Sequence, residues 1–123
     1  MDRIWKLNEL KKMKTIDWTR DELVAYILLF AANADFKESD KERDLIISKV
    51  DKETFQEIHE EFHADNDYQG LKKITISLEQ HNYDKEDIDL LMEDIKALFF
   101  VDGDFDITEQ NMLKSLNRLF KVA

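Results

Sequence analysis

The most chemically suggestive spacing in the chain is His59-Glu60-Glu61-Phe62-His63. It matches H-E-x-x-H, in which two histidines lie together on one helix face and the first glutamate activates a zinc-bound water. Two exposed histidines at this spacing can also bind zinc without any catalysis. One hypothesis is therefore a zinc-dependent hydrolase that uses His59, Glu60 and His63.

A catalytic zinc site needs a third protein ligand. No third histidine follows His63 at the spacing of the extended motif, so the nearest candidates are Glu79 and His81 on the next predicted helix. Zinc proteases of this kind also hold their substrate along an edge strand, and no convincing strand is predicted here. Because the segment is rich in glutamate, a simpler interpretation is an amphipathic helix with two histidines at the edge of its apolar face.

A second pattern, an acidic turn, occurs twice. Residues 34–42 read ADFKESDKE and residues 101–109 read VDGDFDITE, and the two segments align without a gap. Glu38 stands where the second copy has Phe105, an apolar residue expected to pack beneath its turn, so the first turn is expected to be distorted. The alignment pairs Asp35 with Asp102, Ser39 with Asp106, and Glu42 with Glu109.

These acidic residues support two interpretations. Carboxylates at helix N-termini act as caps and interact favourably with the helix dipole, and each cap contributes about 1 kcal/mol. Alternatively, the two turns lie close together and their carboxylates hold a cation. Oxygen-only ligands would suit Ca²⁺, Mg²⁺ or Mn²⁺ rather than Zn²⁺.

The second turn does not fit an EF-hand. With Gly103 at the loop glycine, Glu109 falls on the final ligand position. The first and third ligand positions then fall on Leu98 and Phe100, whose side chains have no oxygen, so half of the calcium ligands are missing.

The doubled turn between apolar helices resembles the TerB-like family, named for tellurite-resistance proteins. Its recurring pattern is an apolar helix, then Ala-Asp-Gly-x-(apolar)-(Ser/Thr)-x-x-Glu, then another helix, present twice. The match covers most of the chain from about Asp21, with departures at Phe36 and Glu38. The resemblance implies an all-helical fold and a link to stress or tellurite resistance. It also implies a cation site at Asp35, Glu42, Asp102 and Glu109.

Apolar residues at helical spacing predict the elements that carry these motifs. The longest apolar run, Leu23 to Ala34, is shorter than the roughly 20 residues that span a bilayer, so a central core helix is predicted. Residues 68–81 fit a helix or a strand, and a helix is predicted because a lone strand would have no partner. A helix is also predicted over residues 2–14, and further helices begin at Thr19, Ser39, Asp51, Asp84 and Asp106.

Composition favours one helical domain. The 123 residues include no proline and only two glycines, which disfavours turn-rich β folds. The formal net charge of −10 disfavours nucleic acid and anionic lipid as partners, although it can also serve solubility alone. The absence of cysteine excludes disulfides and thiolate metal sites and fits the cytoplasm. The N-terminus lacks the apolar core of a signal peptide.

The sequence therefore predicts an all-α single compact bundle of six to seven helices over residues 1–123. Two pseudo-repeated helix–acidic turn–helix units are predicted at about 19–50 and 84–122. The predicted function is a non-enzymatic, cytoplasmic TerB-like module that binds another protein, a divalent cation such as Ca²⁺ or Mg²⁺, or both. It is predicted to be a monomer or a weak homodimer. The alternative is a zinc-dependent hydrolase with His59 and His63 as zinc ligands.

Overall fold

The computed structural model describes residues 15–34, 38–101 and 107–122. Within these ranges the chain forms six α-helices and no strand, so the predicted all-α fold class is confirmed. The helix predicted over residues 2–14 lies outside the described residues. The helices are α1 (Arg20–Ala32), α2 (Asp40–Val50), α3 (Lys52–Ala64), α4 (Asp67–Gln80), α5 (Lys85–Phe100) and α6 (Ile107–Val122).

Four of the five predicted capping residues lie within the described ranges, and a helix begins directly after each of them, while Asp106 lies outside those ranges. Thr19 Oγ1 accepts a hydrogen bond from the Glu22 amide at 3.1 Å, and the Glu22 carboxylate accepts one from the Thr19 amide at 2.8 Å. Ser39 and Glu42 form the same reciprocal pair at the start of α2. Such boxes satisfy amide groups that have no partner within the helix, so they fix where each helix starts.

Helix α1 is the central helix, as its nearly continuous apolar sequence predicts. It packs against α2, α3, α4 and α5. Leu23, Tyr26 and Leu28 on this helix are completely buried. None of the helices in the described ranges has both the length and the apolar character that a membrane crossing requires. Helix α3, which bears the two histidines, packs directly against helix α1.

The ambiguous segment 68–81 lies almost wholly in α4, which confirms the helix prediction. Its Ile74 and Leu78 side chains are buried in the core. A Cβ atom placed on Gly70 would lie 2.8 Å from Tyr26 Oη, closer than side chains normally approach. The glycine therefore allows α4 to lie directly against α1.

A polar cluster joins α1, α3 and α4. Tyr26 Oη donates to Asp65 Oδ2 at 2.8 Å, Lys73 Nζ lies 2.8 Å from Asp65 and 3.0 Å from Glu61, and Trp18 Nε1 donates to Glu61 at 3.0 Å. Burial alone would lower the pKa of Lys73, but its hydrogen bonds to Asp65 and Glu61 outweigh burial and raise that pKa. Burial, helped by the bond to Asp65, raises the pKa of Tyr26 far above its usual range. Glu61 and Asp65 stand two residues before and two residues after His63, so the cluster fixes this end of α3 against α1 and α4.

Candidate metal centre

The two histidines of the H-E-x-x-H segment lie side by side on α3. Their Nε2 atoms are 3.2 Å apart, and their ring centroids are 4.3 Å apart in an edge-to-face arrangement. The ring of Phe55, one turn earlier, packs against His59 with a centroid distance of 5.1 Å. The side chain of His59 is 29% exposed and that of His63 is 53% exposed, so the pair lies at the protein surface.

Glu38 brings a carboxylate to these two histidines. It lies in the link between α1 and α2, and its side chain is only 10% exposed. Its Oε2 atom is 3.0 Å from His59 Nε2, and its Oε1 atom is 3.6 Å from His63 Nε2. Among the described residues, this is the single group of three such side chains whose ligand atoms come close enough to hold one metal ion.

Neighbouring side chains hold the Glu38 carboxylate in place. Asn33 Nδ2, at the end of α1, donates to Glu38 Oε1 at 3.0 Å and also to the Leu29 carbonyl at 2.9 Å. On the other side, Arg43 Nε lies 3.1 Å from Glu38 Oε2. Two helices therefore position the carboxylate against α3 through groups other than the histidines.

The hydrogen bonds within the cluster are mutually exclusive. An imidazole nitrogen offers either one N–H or one lone pair in the ring plane, never both. His59 Nε2 nevertheless has two polar neighbours, Glu38 at 3.0 Å and His63 at 3.2 Å. Whatever the protonation state, Nε2 can form a linear hydrogen bond with only one of these two neighbours. The other contact is left without a proton or without a lone pair to accept one.

A metal ion would resolve this conflict, because all three atoms can then direct lone pairs at one point. Zinc binds imidazole nitrogen and carboxylate oxygen at about 2.0–2.2 Å in tetrahedral geometry, which separates neighbouring ligand atoms by about 3.3–3.6 Å. With Glu38 Oε1 as the carboxylate ligand, its separations from His59 Nε2 and His63 Nε2 are 3.3 and 3.6 Å, and the two Nε2 atoms are 3.2 Å apart. The arrangement matches three corners of a zinc tetrahedron and leaves the fourth corner for another ligand.

Glu79 and His81, the nearest candidates in the sequence for a third ligand, lie away from the histidine pair. His81 Nε2 lies 2.9 Å from the Trp18 carbonyl, and Glu79 is exposed near the end of α4. Neither belongs to the cluster of metal-binding atoms. Glu60, the general base of the hydrolase hypothesis, is also exposed and outside that cluster.

The predicted acidic-turn site is only partly within the described residues. Asp35 and Asp102 lie outside them. Glu42 is buried, and its carboxylate accepts from the Ser39 amide at 2.9 Å, which is the capping role. Glu109, in the first turn of α6, lines a small cavity together with Ala34 at the end of α1. The end of α1 and the start of α6 therefore approach each other here, and the four-carboxylate site stays a prediction.

No protein-family model, curated protein or solved structure matches this chain. The fold and the site together define an all-α bundle that carries a two-histidine, one-carboxylate cluster at its surface.

Proposed function

We propose that this protein binds a divalent transition-metal ion, with Zn²⁺ the best-fitting ion, at Glu38, His59 and His63. The observation that carries the proposal is the double contact of His59 Nε2, with Glu38 at 3.0 Å and with His63 at 3.2 Å. The single proton or lone pair of Nε2 can complete only one of these contacts as a linear hydrogen bond, whereas one metal ion serves all three donors.

The donor set favours zinc over calcium and magnesium. Ca²⁺ and Mg²⁺ prefer ligand sets made of oxygen, whereas two of the three donors here are imidazole nitrogens. The chain has no cysteine, so thiolate does not compete for the ion. The proposed site thus differs in both place and chemistry from the hard-cation site predicted at the acidic turns.

A binding role is favoured over hydrolysis. The hydrolase hypothesis needs Glu60 beside the metal-bound water, but this residue is exposed and stands outside the cluster. The metal would instead connect the link before α2 to helix α3. A ligand that binds only the folded state stabilises it by about 2.7 kcal/mol at one hundred times its Kd.

Thermal unfolding of tag-free protein with and without Zn²⁺ tests the proposal. At one hundred times Kd, the Tm should rise by roughly 10 °C for a domain of this size. Glu38→Gln, His59→Ala and His63→Ala should each lose most of that rise. Glu60→Gln is the matched control on the same helix and should keep it.

Two results would contradict the proposal. One is a wild-type Tm that does not respond to Zn²⁺. The other is a zinc response in His59→Ala or His63→Ala as large as that of the wild type. If Glu60→Gln kept the zinc response but abolished a zinc-dependent ester or peptide hydrolysis, the hydrolase hypothesis would replace the binding role.

A second candidate function is a TerB-like module for stress or tellurite resistance that binds another protein and a hard cation at the paired turns. It is supported by the small cavity between the end of α1 and the start of α6, which Ala34 and Glu109 both line. Ca²⁺ should then raise the Tm, and Asp102→Asn with Glu109→Gln should abolish this rise. A Tm unmoved by millimolar Ca²⁺, Mg²⁺ and Mn²⁺ would remove the cation from this candidate.

A further inference from the structure

We infer that the metal-loaded centre takes a carboxylate ligand at its open coordination position, and that Arg43 anchors this ligand. The inference rests on the proposed function, because the carboxylate binds the metal. Three protein donors leave one corner of a tetrahedral ion unfilled. The half-exposed side chain of His63 marks the side from which solvent reaches the centre.

Arg43 is the cationic side chain next to the centre. Its Nε atom lies 3.1 Å from Glu38 Oε2, but it is buried and makes no hydrogen bond of acceptable geometry with any described residue. Its Nη2 atom is 3.1 Å from Asp40 Oδ1, and the Asp40 side chain is 90% exposed. Ion pairs with so exposed a partner are weak and easily exchanged. The Arg43 side chain is 43% exposed, so an incoming anion can reach its terminal nitrogens by displacing Asp40, while Nε stays buried against Glu38.

The surroundings of Arg43 also give a ligand access to the centre. An open groove between α2 and α3 is lined by Arg43 and Phe55, among others. Phe55 packs against the ring of His59, and Arg43 contacts Glu38. The groove thus begins beside two of the three metal ligands.

The local charge selects the ligand. When both imidazoles are neutral, a divalent ion bound to the Glu38 carboxylate carries one net positive charge. The opposite charges of Arg43 and its partner Asp40 cancel each other. A single carboxylate neutralises this remaining charge and can accept two parallel hydrogen bonds from a guanidinium group. Asp44 and Lys52, which also line the groove, cancel as well, so a phosphate dianion would leave one excess negative charge.

Cobalt-substituted protein provides the test, because the visible absorption of Co²⁺ changes when its coordination changes. Acetate is titrated into the Co²⁺ form at constant ionic strength. We expect a saturable spectral change in the wild type. At saturating Co²⁺, Arg43→Gln should weaken acetate binding by roughly tenfold, the loss expected for a charge-assisted hydrogen bond. Lys52→Gln, which removes the other cation lining the groove, should bind acetate like the wild type.

The alternative outcomes distinguish failure of the proposed function from failure of the inference. If Co²⁺ gives no spectrum of the bound ion, the proposed function fails and the inference falls with it. If Co²⁺ binds but acetate changes nothing, or if phosphate binds more tightly than acetate, only the inference fails. Equal acetate binding by Arg43→Gln removes the role of Arg43.

Discussion

His59 Nε2 lies 3.0 Å from Glu38 Oε2, although the two residues are 21 positions apart in the sequence. Helix α3 provides one side of this contact, and the link between α1 and α2 provides the other. The polar cluster at Glu61 and Asp65 holds α3, and Asn33 and Arg43 hold the carboxylate. The donors are therefore brought together by the packing of the bundle and do not depend on an ion.

Replacing Glu38 with leucine should separate stability from metal binding. The aligned position in the second repeat is Phe105, so an apolar side chain suits this place in the turn. Removing one partner of an ion pair is destabilising, but the Arg43 side chain is 43% exposed and keeps its pair with Asp40, so the loss is smaller than for a fully buried pair. We expect the free energy of unfolding without metal to fall by about 1–3 kcal/mol, while the further stabilisation by Zn²⁺ disappears. Urea unfolding with and without Zn²⁺ measures both quantities. Retained zinc stabilisation would show that Glu38 is not a ligand.

The contact between Gly70 and Tyr26 predicts a non-additive pair of mutations. Alanine at position 70 gains about 1 kcal/mol of helix propensity, but its Cβ would lie 2.8 Å from Tyr26 Oη. Because overpacking costs about 1–3 kcal/mol, Gly70→Ala should destabilise the wild type. In the Tyr26→Phe background the oxygen is gone, and the same change should stabilise the protein. Urea unfolding of the four proteins gives the coupling energy, and equal effects in both backgrounds would contradict the contact.

Alkaline pH should destabilise the fold through Tyr26. Burial and the hydrogen bond to Asp65 raise the pKa of this tyrosine, whereas the unfolded chain releases the proton near pH 10. Above about pH 10 the unfolded state therefore binds fewer protons, and the free energy of unfolding falls by up to about 1.4 kcal/mol per pH unit. The raised pKa of Lys73 acts with the same sign. Below pH 10 both contributions are fully present.

Unfolding measured between pH 9 and 11 tests this dependence. Tyr26→Phe should flatten the fall in stability, since it removes one of the titrating groups. Tyr68→Phe is the matched control, because Tyr68 is 69% exposed. An identical pH dependence in Tyr26→Phe and the wild type would contradict the assignment to Tyr26.

Backbone strain at Asp51 predicts a stabilising substitution. Asp51 joins α2 to α3 with φ 99° and ψ 159°, a conformation that is essentially restricted to glycine and costs other residues about 1–3 kcal/mol. Its side chain also caps α3 by accepting from the Thr54 amide at 2.8 Å, but glycine is only a few tenths of a kcal/mol worse as a cap. Asp51→Gly should therefore raise the free energy of unfolding by about 1 kcal/mol.

Asp84 gives the control for this prediction. It caps α5 through the Asp87 amide, with φ −92°. Asp84→Gly loses the cap and relieves no strain, so it should lower stability. If both glycine variants lower the free energy of unfolding in thermal or urea unfolding, the strain at Asp51 is refuted.

Local sequence signals predicted the elements of the fold well. Thr19, Ser39 and Asp84 are helix caps, and the apolar run of α1 is the core helix, because capping and hydrophobic burial depend on neighbouring residues. The segment 68–81, whose apolar pattern fits a helix or a strand, was also correctly predicted as a helix. Predicting these features requires no knowledge of which helices pack together.

The candidate site could be predicted only in part. The spacing of His59 and His63 placed them on one helix face, but no local rule shows which distant segment faces them. The link that carries Glu38 reaches α3 only because α1 and α2 both pack against it. One signal was present, since Glu38 is a charged residue at a position where the repeat pattern calls for a buried apolar one. Such a departure marks a position where packing alone does not choose the residue.

Crystallographic anomalous diffraction from the zinc-loaded protein tests the proposed centre most directly. We predict one anomalous peak between Glu38, His59 and His63, with two Nε2 atoms and one carboxylate oxygen at about 2.0–2.2 Å from the metal. A zinc peak bound elsewhere on the chain, with these three side chains left uncoordinated, would contradict the proposed metal centre.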